Sequence, residues 1–147
     1  MNSLRILLLS FFLPLALCAQ KAKKTSADKP NEVTFSLVAT SDVHGNFFPY
    51  DFVNQKPGTG SLSRVSTYLK QLRAERGRFN VIYMDNGDIL QGQPSAYYYN
   101  HVSTSSPHPA ASMINYLDAL CGTVGNHDIE TGASVYERWM QDCAFAN

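Results

Sequence analysis

The chain has 147 residues, of which 44% are hydrophobic and 16% charged, with 12 basic and 12 acidic side chains. This composition is ordinary for a globular protein and excludes wholesale disorder, and the length suits one modest domain. A formal net charge of zero gives no electrostatic case for a nucleic-acid or acidic membrane surface. The cysteine spacing fits neither a zinc site nor a disulfide framework. We expect Cys121 and Cys143 to be buried free thiols, with a disulfide between them as the alternative.

Residues 1–19 have the pattern of a secretory signal peptide. A basic residue precedes an apolar run that ends at Leu17, and this run is shorter than the roughly 20 residues of a membrane-spanning helix. We expect cleavage after Ala19 and a periplasmic or cell-envelope location, with a lipid anchor at Cys18 as the alternative. Residues 20–31 are polar and lysine-rich without apolar periodicity, which predicts a solvated tether.

The first predicted strand runs from Val33 to Ala39. Apolar residues alternate with polar ones and then become continuous, which predicts a strand that is fully buried toward its end. It leads into the cluster Asp42-Val43-His44-Gly45-Asn46. Since side chains at i and i+2 of an extended segment project to the same side, Asp42 and His44 can bind one metal ion together. An Asp-x-His triplet is weakly specific alone and gains weight from the clusters that follow.

A loop and an amphipathic helix come next. Residues 47–59 contain two prolines and a glycine, which predicts a loop. Ser61 or Ser63 can cap a helix that ends before Gly77. The predicted buried face of this helix carries Leu62, Val65, Leu69 and Leu72.

A second short apolar run, Val81-Ile82-Tyr83-Met84, predicts a buried strand. It ends in the cluster Asp85-Asn86-Gly87-Asp88. Asp88 is the candidate to bridge two cations, because one carboxylate can bind both and offset part of their repulsion. Asp85 is interpreted as a hydrogen-bond acceptor within the turn, or as an acceptor that contacts the metal ligands and not the metal itself.

Two prolines mark the next helices. Pro94 and Pro109 each stand where a first helical residue is expected. We interpret His101 and His108, which lie between them, as loop histidines, because no partner spacing supports a ligand role. Ser134-Val135-Tyr136-Glu137 fits a capping box for a last helix.

A third predicted strand, residues 120–124, ends in Gly125-Asn126-His127-Asp128. All three polar clusters therefore follow short strands and alternate with helices, which is typical of an α/β fold. In open parallel sheets, ligands bind at the carboxyl ends of the strands. Carboxylate, imidazole and amide groups together suit hard or borderline divalent metals, so we expect a metal site there.

These three ordered clusters, the second extended to Gly92, resemble those of the calcineurin-like metallophosphoesterase superfamily. Within it they are most similar to the 5′-nucleotidase / 2′,3′-cyclic-nucleotide 2′-phosphodiesterase family. The resemblance covers residues 33–147. It implies an α/β sandwich built from consecutive strand-loop-helix units, with residues 32–147 as the truncated N-terminal part of that domain.

The resemblance also implies roles for individual residues. Two divalent metal ions (Zn, Mn, Fe, Mg or Co) would be bound by Asp42, His44, Asp88 and Asn126. His127 would stabilise the phosphate or donate a proton. The family usually holds that histidine with an aspartate three residues later; here Glu130 occupies that position, and Asp128 replaces the usual glutamate. Which of Glu130 and Asp128 orients His127 stays open.

The implied function is a two-metal phosphoester hydrolase acting on nucleotides, either as a 5′-nucleotidase or on 2′,3′-cyclic nucleotides, in which a metal-activated water attacks phosphorus. Later segments supply further metal-binding histidines in the family. We therefore expect the C-terminal part of the same protein as a partner, and a fragment that is inactive alone. The alternatives are a metallophosphatase or nuclease acting on another phosphoester, and a non-catalytic secreted domain of the same fold.

Overall fold

Strands and helices alternate along residues 32–145, the part of the chain that the computed structural model describes. The predicted signal peptide and tether lie outside this range. Its elements in chain order are β1 (Ser36–Thr40), β2 (Tyr50–Asp51), β3 (Lys56–Pro57), α1 (Leu62–Arg76), a 3-10 turn (Arg78–Asn80), β4 (Val81–Asp85), α2 (Pro94–His101), α3 (Pro109–Tyr116), β5 (Ala119–Gly122), α4 (Asn126–Glu130) and α5 (Ala133–Asp142). Within the same range, none of the helices has the length and apolar character needed to cross a membrane.

A three-stranded parallel sheet positions the polar clusters. β4 lies in the middle, between β1 and β5. Thr40 pairs with Asp85, and Asp85 pairs with Gly122, so the three strands end level with one another. The predicted α/β class, with its clusters at one edge of a parallel sheet, is confirmed.

One face of the sheet packs against helices. Along β4, the buried residues Val81, Tyr83 and Asp85 alternate with the partly exposed Ile82 and Met84. The buried core consists of Phe47, Leu62, Leu69, Val81, Tyr83, Ile89, Leu90, Ala110, Ala111, Ile114, Leu117, Val135 and Trp139. Each large apolar side chain in it stabilises the fold by about 1.5–3 kcal/mol.

The first strand differs from its prediction. β1 begins at Ser36, whereas Val33 is 84% exposed and Phe35 59% exposed. Because β1 is an edge strand with helices on one side only, alternate residues such as Leu37 remain exposed. The predicted full burial toward the end of this strand is therefore wrong, since Ala39 is also exposed; a parallel strand is buried throughout only when both of its faces are covered.

Helix boundaries follow the local sequence signals. The Ser61 hydroxyl accepts a hydrogen bond from the Arg64 N–H at 3.4 Å and caps α1. Gly77, at φ 89°, ends that helix. α2 and α3 begin at Pro94 and Pro109, as predicted.

Two other local predictions were wrong, and a third was confirmed in part. The predicted loop at residues 47–59 contains the short antiparallel hairpin of β2 and β3. α5 begins at Ala133 after Gly132, whose φ is 93°, and no side chain caps it. The capping box predicted at Ser134 is therefore absent, because the helix starts two residues too early for it. Cys121 and Cys143 are free thiols, as predicted, although both are only partly buried.

Candidate metal centre

The loops after β1 and β4 are joined by backbone hydrogen bonds beyond the end of the sheet. The Asp42 N–H donates to the Gly87 carbonyl at 3.1 Å, and the His44 N–H donates to the Asp88 carbonyl at 2.9 Å. Two of the predicted clusters are thus held together through the main chain. The backbones of His44 and Asp88 are therefore in direct contact.

The loop after β5 approaches Asp88 through glycines. A Cβ atom on Gly87 would lie 2.6 Å from the Gly125 nitrogen, and one on Gly125 would lie 2.2 Å from Asp88 Oδ1. Both distances are too short for a side chain. Glycine therefore allows the first turn of α4 to sit directly on Asp88, where the His127 N–H donates to Asp88 Oδ1 at 2.9 Å.

Three of the predicted ligands share an unusual backbone conformation. Asp42, His44 and Asp88 have φ angles of 55°, 50° and 57°, in the left-handed region that residues other than glycine rarely adopt. Each such residue costs on the order of 1–3 kcal/mol, and such strain clusters at functional sites. The surrounding backbone hydrogen bonds hold these residues in a backbone conformation that an isolated chain would avoid.

His44, Asp88 and His127 bring one potential ligand atom each to within 4.8 Å of one another. Asp42 lies beside this group, with its Oδ1 3.9 Å from His44 Nε2 and its side chain 64% exposed. Asn126 is the first residue of α4, and its side chain is exposed. The nitrogen and oxygen donors present fit a borderline or hard divalent cation. The resemblance implied a place by the phosphate for His127, and the structure brings one of its ring nitrogens to the same cluster.

The orientation of His44 follows from a backbone contact. Its Nδ1 lies 3.2 Å from the Gln91 carbonyl oxygen. Since a carbonyl only accepts, Nδ1 carries the proton in this bond, and Nε2 is the nitrogen that faces away from it. A metal-binding histidine is commonly oriented in this way by a partner on its other nitrogen.

The orientation of His127 depends on Glu130. His127 Nδ1 lies 3.0 Å from Glu130 Oε2, and the two residues are one turn apart in α4. This hydrogen bond raises the pKa of His127 and lowers that of Glu130. Of the two carboxylates that the sequence left open, Glu130 is the one that contacts His127.

Asp128 has a different partner set. Its side chain is fully buried. Its Oδ2 accepts hydrogen bonds from the Asp88 and Gly125 N–H groups at 2.7 and 2.9 Å, and its Oδ1 accepts from the Ile89 and Leu90 N–H groups at 2.9 and 2.7 Å. These bonds correct the expectation of a catalytic role for Asp128, because both oxygens face the backbone. Its carboxylate ties the loop after β4 to the start of α4.

Asp85 supports the same loop, as predicted. It accepts hydrogen bonds from the Thr40 hydroxyl at 2.8 Å and from the Gly87 N–H at 3.3 Å. Burial raises the pKa of Asp85 to about 6. The carboxyl group turns the chain toward Asp88 and does not itself join the ligand cluster.

Residues 35–145 match the profile of the calcineurin-like phosphoesterase family. The chain belongs to this family. It is 32% identical over 121 residues to the trifunctional nucleotide phosphoesterase protein YfkN of Bacillus subtilis (strain 168), covering 78% of this chain and 8% of that protein. It is 29% identical over 126 residues to a 2′,3′-cyclic-nucleotide 2′-phosphodiesterase/3′-nucleotidase of Yersinia enterocolitica, covering 84% of this chain and 19% of that protein.

Solved structures of calcineurin-like phosphoesterases are similar in fold. Bacillus subtilis YfkN superposes with a TM-score of 0.66 at 29% identity, over 76% of this chain and 35% of that one. A putative 5′-nucleotidase from Staphylococcus aureus superposes with a TM-score of 0.61 at 30% identity, over 74% of this chain and 21% of that one. The chain thus spans a fifth or less of the two curated relatives, and about a third or less of these two structures.

Two buried polar residues of this phosphoesterase domain were not predicted from the sequence. His108, interpreted as a loop histidine, has no exposed surface, and Asn100 is only 4% exposed. His108 Nε2 lies 2.9 Å from Asn100 Oδ1. Burial lowers the pKa of His108 to about 4. The available signal was Pro109, because the residue before a first-turn proline is a cap position, and the His108 side chain does accept from the Ala110 N–H at 3.2 Å.

An open cleft of about 360 Å³ lies beside Glu130. Tyr97 and His101 line it, with their ring centroids 4.8 Å apart. Tyr97 is 64% exposed. The cleft leaves room for an organic group next to the candidate metal centre.

Proposed function

We propose that this chain forms the metal-binding and phosphate-binding part of a two-metal nucleotide phosphoesterase. The observation that carries the proposal is the meeting of His44, Asp88 and His127 at the carboxyl edge of the parallel sheet, within 4.8 Å of one another. Two divalent cations would supply Lewis acidity and lower the pKa of a water molecule. The residues assigned to them are Asp42, His44, Asp88 and Asn126.

His127 is assigned to the phosphate in this proposal. Its Nδ1 is engaged by Glu130, which leaves Nε2 for the substrate. Because that bond raises the pKa of His127, the imidazole is protonated over a wider pH range than a free histidine. A protonated Nε2 can offset charge on the phosphoryl oxygens or protonate the leaving alkoxide.

Nucleotides are the proposed substrates because the relatives carry nucleotide names. Those from Yersinia enterocolitica and Haemophilus influenzae are named 2′,3′-cyclic-nucleotide 2′-phosphodiesterase/3′-nucleotidase, and the Staphylococcus aureus structure is titled a putative 5′-nucleotidase. We favour cyclic 2′,3′-nucleotides, with 5′-mononucleotides as the second candidate. The activity is proposed for the whole protein, in which this chain supplies one part of the site.

The test compares substrates and metal content in the full-length protein. Hydrolysis of 2′,3′-cyclic AMP above that of 5′-AMP, abolished by EDTA and restored by Mn²⁺, is the expected result. Asp88→Asn should lose the bound metal. His127→Ala should lose turnover but keep the bound metal. Hydrolysis of an aryl phosphodiester without either nucleotide would favour a different phosphoester, and absence of both metal and hydrolysis would leave a non-catalytic domain.

We also propose that the protein acts in the cell envelope, because residues 1–19 have the charge and apolar pattern of an export signal. N-terminal sequencing of the protein from its native host should begin at Gln20. Recovery of the uncleaved chain from the cytoplasm would contradict export. A lipid on Cys18 would instead support the anchored alternative.

A further inference from the structure

A buried chain of hydrogen bonds runs from the start of α3 to the loop after β4. His108 Nε2 lies 2.9 Å from Asn100 Oδ1, and Asn100 Nδ2 donates to the Leu90 carbonyl at 2.6 Å. None of these three residues is more than 4% exposed. Buried polar groups of this kind are costly when unpaired, so the three act as one unit.

The proton positions along this series of hydrogen bonds follow from the two backbone groups at its ends. The Ala110 N–H donates to His108 Nδ1 at 3.2 Å, so Nδ1 is the acceptor and the ring proton is on Nε2. The Leu90 carbonyl can only accept, so Asn100 must present its NH₂ group there and its oxygen to His108. Both assignments agree, and each group has one compatible partner.

The loop is consequently held from both sides at Leu90. Its N–H donates to Asp128 Oδ1 at 2.7 Å, and its carbonyl accepts from Asn100. The next carbonyl along the chain, that of Gln91, is the acceptor for His44 Nδ1 at 3.2 Å. Fixing the Leu90 peptide units therefore fixes the group that orients His44.

We propose that Asn100 and His108 are positioning residues for the metal ligand His44, acting through the backbone of Leu90 and Gln91. The inference rests on the proposed metal site. Outer partners of this kind commonly change metal affinity by about 10- to 100-fold when removed. Asn100 and His108 lie outside the ligand cluster, so an effect on metal binding must travel through the loop.

The test compares two asparagines that make the same number of side-chain hydrogen bonds. Asn100→Leu removes the bonds to His108 and Leu90 at similar side-chain volume. Asn115→Leu is the control, since Asn115 donates to the Asp142 carbonyl at 2.8 Å and accepts from the Ala144 N–H at 2.7 Å, near the end of α5. Both variants are expected to lose thermal stability, so stability alone does not separate them.

Mn²⁺ affinity, measured by calorimetry on the full-length protein, is the first readout. It should fall about 10- to 100-fold in Asn100→Leu and stay near the wild-type value in Asn115→Leu. Unchanged affinity in Asn100→Leu, or an equal loss in both variants, would overturn the positioning role. Where Asn100→Leu fails to fold, His108→Leu serves instead; it leaves Asn100 Oδ1 without its donor and should weaken binding in the same direction, and unchanged affinity there has the same consequence.

The ring state of His44 is the second readout, and it needs no metal. Nitrogen NMR of the metal-free chain should show His44 protonated on Nδ1 in the wild type, and a mixture of tautomers in Asn100→Leu. The two readouts together separate the proposed metal site from the positioning role of Asn100 and His108. A wild-type full-length protein that binds no divalent cation would refute the proposed metal site, whereas an unchanged His44 tautomer in Asn100→Leu would refute the positioning role alone.

Discussion

Replacement of Asp128 by asparagine tests whether one buried carboxylate holds the loops of the candidate site together. The substitution keeps the shape of the side chain and turns one of its two oxygens into an NH₂ group. Each oxygen accepts two backbone N–H groups, so two donors would then face another donor. A hydrogen bond to a charged acceptor contributes about 1.5–3 kcal/mol. Asp128→Asn should therefore lower the free energy of unfolding by about 3–6 kcal/mol, which is large against a typical total of about 5–15 kcal/mol.

Urea denaturation provides the assay. Trp139 is the only tryptophan of the chain and is 1% exposed, so its fluorescence reports unfolding of the core. Asp51→Asn is the matched control, since Asp51 also accepts backbone N–H groups, from Val53 and Asn54, but in an exposed hairpin. Its unfolding midpoint should stay close to that of the wild type. A loss below about 1 kcal/mol for Asp128→Asn, or equal shifts in both variants, would refute the reasoning.

Three further predictions concern other contacts of the site. Gly125→Ala would place a Cβ atom 2.2 Å from Asp88 Oδ1, so Mn²⁺ affinity should fall at least about tenfold by calorimetry; wild-type affinity would contradict the close approach. Glu130→Gln should lower the pKa of His127 in the metal-free chain, measured by NMR titration, because the hydrogen bond that raises it loses its charge; an unmoved pKa would mean that the bond does not form in solution. The pKa of Asp85 is raised from 3.8 to about 6 in the folded state, so the folded chain binds the extra proton between these values, and the stability contributed by this group falls as pH rises from about 4 to 6. The stability of Asp85→Asn relative to wild type should consequently increase over that interval by up to about 3 kcal/mol; a pH-independent difference would contradict burial of the carboxyl group.

The strand ends and their polar clusters were predictable because they depend on local sequence. A short apolar run that stops at a glycine and an acidic residue fixes both the strand and the loop, as at Gly87 and Asp88. Parallel pairing then brings separate clusters to one edge, since each strand in such a sheet needs a crossover and runs the same way. His44 and Asp88 could be placed together on these grounds alone.

Burial and hydrogen-bond partners were not predictable in the same way. Val33 and Phe35 have the apolar pattern of a strand, yet their exposure depends on which elements cover β1. His108 and Asn100 lie eight residues apart in a sequence without helical or strand periodicity between them, and their contact requires α2 and α3 to fold back on each other. Three of the four backbone partners of Asp128 lie 38 to 40 residues away in the chain, and a backbone N–H donor is not specified by residue type.

The roles of the two carboxylates follow once α4 is known to be a helix. His127 and Glu130 are three residues apart and share a face, whereas Asp128 is rotated by about 100° and points elsewhere. Glu130 also accepts from the Gln91 side chain at 3.3 Å, and the Gln91 carbonyl is the partner of His44. Gln91 is thus linked to both imidazoles: its carbonyl orients His44, and its side chain donates to Glu130, which orients His127. The centroids of the two imidazoles lie 5.3 Å apart. A shift of the loop at Gln91 would therefore displace His44 and His127 together. The hydrogen bonds between this loop and the buried core oppose such a shift.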